Sequence, residues 1–240
     1  FQNYKPWLGI TGSEFVGLDN FKQIFEFKES YQAIINTFII AVSKMVLGLI
    51  FPIIVALLLN EVHNMGVKKG IQTLVYLPHF LSWVVAASIF MLILSAGTDA
   101  TGQDTANMGF INALLCKVGI LDKPIDFLTE SKCWRSVWYI MNRWKETGWG
   151  TIIYLAALSG ISPDLYEAAE IDGANRLQQI WNITIPAIMN TILVVFILNL
   201  AKVMNVFESV FVLYNSLVYD VSDVIQTYTY RVGIVGNDYG

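Results

Sequence analysis

Four long apolar stretches, 31–60, 71–94, 133–161 and 184–213, alternate with polar segments along the chain. A helix rises 1.5 Å per residue, so the first stretch would reach about 45 Å, beyond the roughly 30 Å of a bilayer's hydrocarbon, and should tilt or protrude. Pro52 within it predicts a kink, and Lys44 sits among its apolar residues. That lysine either reaches neighbouring helices and the interface or belongs to a path through the membrane. The third stretch is uneven. Trp134, Trp138, Trp144 and Trp149 crowd its first half, where Arg143, Lys145 and Glu146 interrupt it. Only the part from Thr147 to Ile161 is cleanly apolar, about 22 Å of helix. In the fourth, Asn199, Lys202, Asn205 and Glu208 recur every three residues. On a helix they form one polar side, which either bonds neighbouring helices or lines a path.

Between the stretches, residues 1–30 read as a lead-in, with Trp7 and several phenylalanines placed for the membrane interface. Residues 21–27 could form a short surface helix, and 61–70 read as a short loop. The connection 95–131 is polar, with a turn expected over 102–107 and a short amphipathic helix over 107–118. Cys116 and Cys133 both fall on this side, and the sequence leaves their pairing open.

Composition agrees with the pattern. Of 240 residues, 55% are hydrophobic and 14% charged, with a mean hydropathy of +0.54; soluble domains carry about 25% charged residues. The fold class is therefore all-α, a polytopic helical membrane protein of about four spans. A net charge of −4 without a basic cluster argues against nucleic acid as a partner. No G-x-x-x-x-G-K-[ST] loop is present to cradle nucleotide phosphates. Two histidines offer neither a metal-ligand cluster nor a Ser/His/Asp arrangement, so no catalytic and no metal residues are assigned. His79, beside Pro78, reads as an ordinary hydrogen-bonded histidine.

The most informative stretch is 162–186, SPDLYEAAEIDGANRLQQIWNITIP, a polar helix–turn–helix between two apolar runs. Ser162 suits an N-cap and Pro163 the first helical position. A short helix over 165–171 should stop at Asp172-Gly173, because glycine takes the left-handed conformation. Asn175 can cap a second helix with Leu177, Ile180 and Trp181 on one apolar face.

Glu167-Ala168-Ala169, Asp172-Gly173-Ala174 and Ile183, Ile185, Pro186 resemble the EAA loop of the permeases of type I ABC importers, with Ile185 standing for the usual leucine and Ile180 for a frequent phenylalanine. The segments FQNYKP, VGLDNF, ALLLNE (56–61), YLPHFLSWVV (76–85) and Val210–Arg231 are similar to permeases for oligosaccharides and polysaccharide fragments. The GGP signature of other sugar permeases is missing, which shifts the expected cargo toward larger or uronate-containing fragments. Trp144-Lys145 and Gly148-Trp149-Gly150 match the family's WK-x-x-GWG pattern.

The resemblance implies a multi-pass permease in a bacterial cytoplasmic membrane. It would pair with a second homologous permease, a cytoplasmic ABC ATPase dimer that alone holds ATP and Mg, and an extracytoplasmic solute-binding protein. The loop 162–183 would couple to the ATPase through Glu167, Ala168, Ala169, Asp172, Gly173 and Ala174. Glu146, Thr147, Gly148, Thr151, Asn199, Lys202, Asn205 and Glu208 would line the substrate path. The resemblance also implies that further spans precede and follow this stretch. Other readings are the same machine for a simple sugar, glycerol phosphate or peptide, or an ion-coupled carrier. Lys68, Lys69 and Arg176 on the inner loops are outnumbered by outer Lys and Arg. Only the resemblance, and not the positive-inside rule, makes the docking loop cytoplasmic and the lead-in 1–30 extracytoplasmic.

Overall fold

A computed structural model describes residues 2–5, 7–97 and 108–236; the turn expected over Gly102–Asn107 lies outside them. The described residues are mostly helical. A small antiparallel ribbon of β1 (Gln2–Asn3) and β2 (Glu14–Phe15) brackets α1 (Gly9–Gly12), with Gln2 opposite Phe15. Then follow α2 (Asp19–Glu26), where the short surface helix was expected, α3 (Lys28–Asn60), α4 (Met65–Tyr76) and α5 (Trp83–Leu94). Next come α6 (Phe110–Lys117), α7 (Ser131–Leu158), α8 (Pro163–Ile171), α9 (Arg176–Gln179), α10 (Ile185–Ala187) and α11 (Met189–Ala201). Short pieces α12 (Phe207–Phe211), α13 (Tyr219–Ser222) and α14 (Ile225–Thr229) follow, before a π-turn over Tyr230–Val235.

Among the described residues, helix α3 alone is long and apolar enough to cross a membrane unaided, and it runs unbroken through Pro52. The second apolar stretch is not one helix. Helix α4 already starts at Met65, because Asn64 caps it by accepting from the N–H groups of Gly66 and Val67; the expected loop is therefore helical from Met65 onward. Pro78 lies in a 3-10 turn over Leu77–Phe80, and Leu81 is extended before α5 starts. The fourth stretch also departs from expectation. A π-turn over Ile180–Thr184 precedes Pro186, which has no N–H for a helical bond, and the chain bends by 62° between Arg176–Ala187 and Met189–Ala201. Helix α11 then ends at Ala201, so no single helix extends from 184 to 213.

The chain forms two compact units, to both of which α3 and α7 contribute residues. One comprises Phe1–Ala41, Trp83–Ile140 and Met204–Gly240. It is tied by polar side chains at buried positions. The fully buried indoles of Trp134 and Trp138 donate to the carbonyls of Leu213 (3.1 Å) and Ser209 (3.0 Å), as buried indoles require. Asn36, also fully buried, donates to the carbonyls of Asp220 and Asp223 and accepts from Arg135 at 2.8 Å. Arg231 reaches Asp223 at 2.7 Å and Glu29 at 3.3 Å. Asn112 donates to the carbonyls of Leu94, Ser95 and Ile125 and accepts from the Ile125 N–H. Cys116 and Cys133 are both free thiols.

The other unit comprises Val42–Ser82 and Met141–Val203. Its core gathers Ala56 of α3, Tyr154 and Leu158 of α7, Ile188, and Val195 of α11. Glycines let α7 approach its neighbours. Gly148 lies against the Val75 carbonyl of α4, and Gly150 against the ring of Pro52.

Candidate functional site

The stretch 162–186 folds as two short helices around a glycine turn. Pro163 opens α8, but Ser162, although at the N-cap, makes no side-chain capping bond; the expected hydroxyl contact is absent. Gly173 has φ +80°, the left-handed conformation that lets the chain turn out of α8. Asn175 caps α9 through a reciprocal pair with Gln178. Its Oδ1 accepts from the Gln178 N–H at 3.0 Å, while its own N–H donates to Gln178 Oε1 at 2.8 Å. The loop is anchored from inside by Tyr166 Oη against Thr184 Oγ1 at 3.0 Å.

Glu167, Ala168, Asp172 and Gly173 are exposed, while Ala169 and Ala174 are half-buried. Around them Leu165, Ile171, Leu177 and Trp181 are all more than half exposed, at 51, 87, 68 and 69%. An acidic, apolar and narrow-sided surface of this kind can receive a partner with a cationic rim. Alanines let the partner's backbone close in, and a carboxylate can take a charge-assisted bond. Exposed apolar residues grouped this way mark an interaction surface.

A second group lies within the same unit, around α7. Lys145 is buried, with its ammonium donating to the His79 carbonyl at 2.9 Å and standing 3.8 Å from Glu146. Glu146 is also 3.5 Å from His79 Nδ1. The His79 Nδ1 is buried with no hydrogen-bond partner among the described residues, and the ring stacks on Trp149 at 5.0 Å. Arg143, in sequence only an interruption of the apolar pattern, is buried. Its guanidinium donates to Asn142 Oδ1 and packs against Gly48 of α3. Lys44 interacts electrostatically with Glu146, Arg143 and Lys202.

The expected path residues are thus only partly brought together. Thr147 and Thr151 are buried on α7, with Thr151 Oγ1 donating to the Thr147 carbonyl at 2.8 Å. Gly148 serves the crossing with α4 rather than an open surface. Asn199 lies in the last turn of α11 and Lys202 just past its end, in this unit. Asn205 is in the following non-helical segment and Glu208 in α12, both within the other unit. The three-residue spacing holds one face only on a continuous helix, and the chain leaves helical geometry at Lys202 (φ −109°, ψ 9°). The expected single polar side is therefore not formed.

Comparison with known proteins decides the family. Residues 48–235 match the family described as "Binding-protein-dependent transport system inner membrane component". The chain belongs to that family. It is 40% identical over 235 residues to the polygalacturonan/rhamnogalacturonan transport system permease protein YteP of Bacillus subtilis, covering 98% of this chain and 70% of that protein. It is 39% identical to Protein LplB of the same organism over 100% of this chain and 72% of that one. Among solved structures it is similar to a bacterial ABC transporter involved in the import of the acidic polysaccharide alginate. The TM-score is 0.84 and the identity 37%, covering 94% of this chain and 75% of that one. As an inner membrane component, the chain has the helical architecture of importer permeases.

Proposed function

We propose that this inner membrane component is the multi-pass permease subunit of an ATP-driven importer for oligosaccharides or polysaccharide fragments. A second permease, an ATPase dimer holding ATP and Mg, and an extracytoplasmic solute-binding protein complete the assembly. The observation that carries the reading is the exposed surface of α8 and α9, with Glu167 and Asp172 set among Leu165, Ile171, Leu177 and Trp181. The names of the relatives support the cargo class. So does a second structure, at 38% identity, of the alginate ABC transporter in complex with an alginate pentasaccharide-bound periplasmic protein.

Mechanically, the loop is a rigid lever. Tyr166 fixes α8 to Thr184 at the base of the next helices, while the Asn175–Gln178 box stiffens the start of α9. Closure of the ATPase subunits would displace α8, and the displacement would pass through Thr184 and the 62° bend toward α11. The path would then alternate its access.

The test is uptake by the assembled complex, with Glu167→Lys and Gly173→Asp beside the unaltered chain. Both variants should reach the membrane and lose ATP-dependent uptake. Full-rate transport by either variant overturns the docking role, and uptake driven by an ion gradient without ATP overturns the importer reading itself.

A further inference from the structure

Charged side chains at membrane depth are costly and concentrate at functional positions. In the unit built on α3, α7 and α11, cationic side chains lie near one another and near one carboxylate. Lys145 is 3.8 Å from Glu146, Arg143 is buried against Gly48, and Lys44, one helical turn before Gly48, interacts with Glu146, Arg143 and Lys202. Positive charge is therefore in excess around Glu146. One further feature favours an anion. Asn142 is 1% exposed, spends its Oδ1 on Arg143, and its Nδ2 donor has no acceptor among the described residues.

We propose that Arg143, Lys44 and Lys202 form a carboxylate-recognition site for an acidic glycan, with Glu146 as the resident anion that a substrate carboxylate displaces. The inference rests on the importer reading and names its substrate class: chains of uronate residues, whose carboxylates recur once per sugar. In the absence of cargo Glu146 holds the cations together. A uronate carboxylate entering the site takes over part of that role and brings the acceptor that the Asn142 amide needs. Neutral glycans gain no such exchange, because they would leave the Glu146 clamp in place and offer only hydroxyls.

The experiment uses the complete complex with its binding protein and compares uptake of trigalacturonate with uptake of its methyl ester. The unaltered complex should favour the acid. Arg143→Gln and Lys202→Gln should each reduce acid uptake about tenfold more than ester uptake, the scale of one charge-assisted hydrogen bond. Lys202 is exposed, so its variants separate recognition from folding. Lys202→Arg should keep acid uptake within about twofold of the unaltered chain by conserving the charge. Glu146→Gln should lower the acid concentration needed for half-maximal uptake, because the competing carboxylate is gone. Equal preference for acid and ester in the unaltered complex overturns the site. If the ester is not taken up at all, Lys202→Gln and Lys202→Arg decide, and equal acid uptake by the two overturns it. A complex that imports neutral oligosaccharides but no acid retains the importer function and loses this inference. One that imports no glycan loses both.

Discussion

Gly150 of α7 faces the ring of Pro52 on α3 so closely that a methyl group at the glycine would stand 2.8 Å from both Cβ and Cγ of the proline. Neither partner can yield cheaply, since the proline ring is tied to its own backbone. This pair sets how near α3 and α7 can come. On α7 two residues earlier, Gly148 makes the matching approach to the Val75 carbonyl of α4.

Replacing Gly150 by alanine should therefore destabilise the protein, by about 1–3 kcal/mol as overpacking does. Gly70, inside α4, has nothing within 4 Å of where its Cβ would be. There the same substitution should stabilise, by up to about 1 kcal/mol of helix propensity. Thermal unfolding in detergent separates the two. Equal shifts of the same sign would show that the α3–α7 crossing is not set by the glycine.

Gly173 offers the opposite balance, open space but a left-handed backbone at φ +80°. Gly173→Ala should cost about 1 kcal/mol from conformation alone, and Gly173→Asn less, because asparagine tolerates that region. ATP-dependent uptake should fall in the order Gly, Asn, Ala. An alanine variant as active as the unaltered chain would mean that the turn does not need this conformation.

The apolar stretches and the docking loop are legible in the sequence because each depends on local chemistry. Gly173 stops α8, and Asn175 caps α9. The polar series from Asn199 to Glu208 misleads because periodicity assumes an unbroken helix, and nothing apolar or polar in 199–208 announces the end at Ala201. Arg143 escapes a sequence reading for a related reason. Its importance comes from Gly48 and Lys44, about a hundred residues away along the chain, and spacing along one helix cannot reveal a partner on another.

Asn112 should be sensitive to charge as well as to truncation. Its amide nitrogen donates to three carbonyls, those of Leu94, Ser95 and Ile125. Asn112→Asp places acceptor oxygen against acceptor oxygen and should destabilise more than Asn112→Ala, which leaves the carbonyls unpaired at about 1–3 kcal/mol. Amide hydrogen exchange at Ile125 reads the result, since its N–H donates to Asn112 Oδ1 at 3.0 Å. Unchanged protection in both variants would remove the side chain from any role in holding this connection.

Tyr154 makes the least intuitive prediction. It is fully buried beside Ala56, Leu158, Ile188 and Val195, and its hydroxyl has no hydrogen-bond partner among the described residues. A buried hydroxyl without a partner carries its desolvation cost uncompensated. Tyr154→Phe removes that cost and keeps the ring, so stability should hold or rise by about 1 kcal/mol. Tyr154→Ala removes the ring as well and should cost about 3–5 kcal/mol through the cavity it leaves. Unfolding midpoints of the two variants test the pair together. If phenylalanine loses stability, the hydroxyl has a partner in the assembled importer, and the core of this unit then extends to whatever chain supplies it.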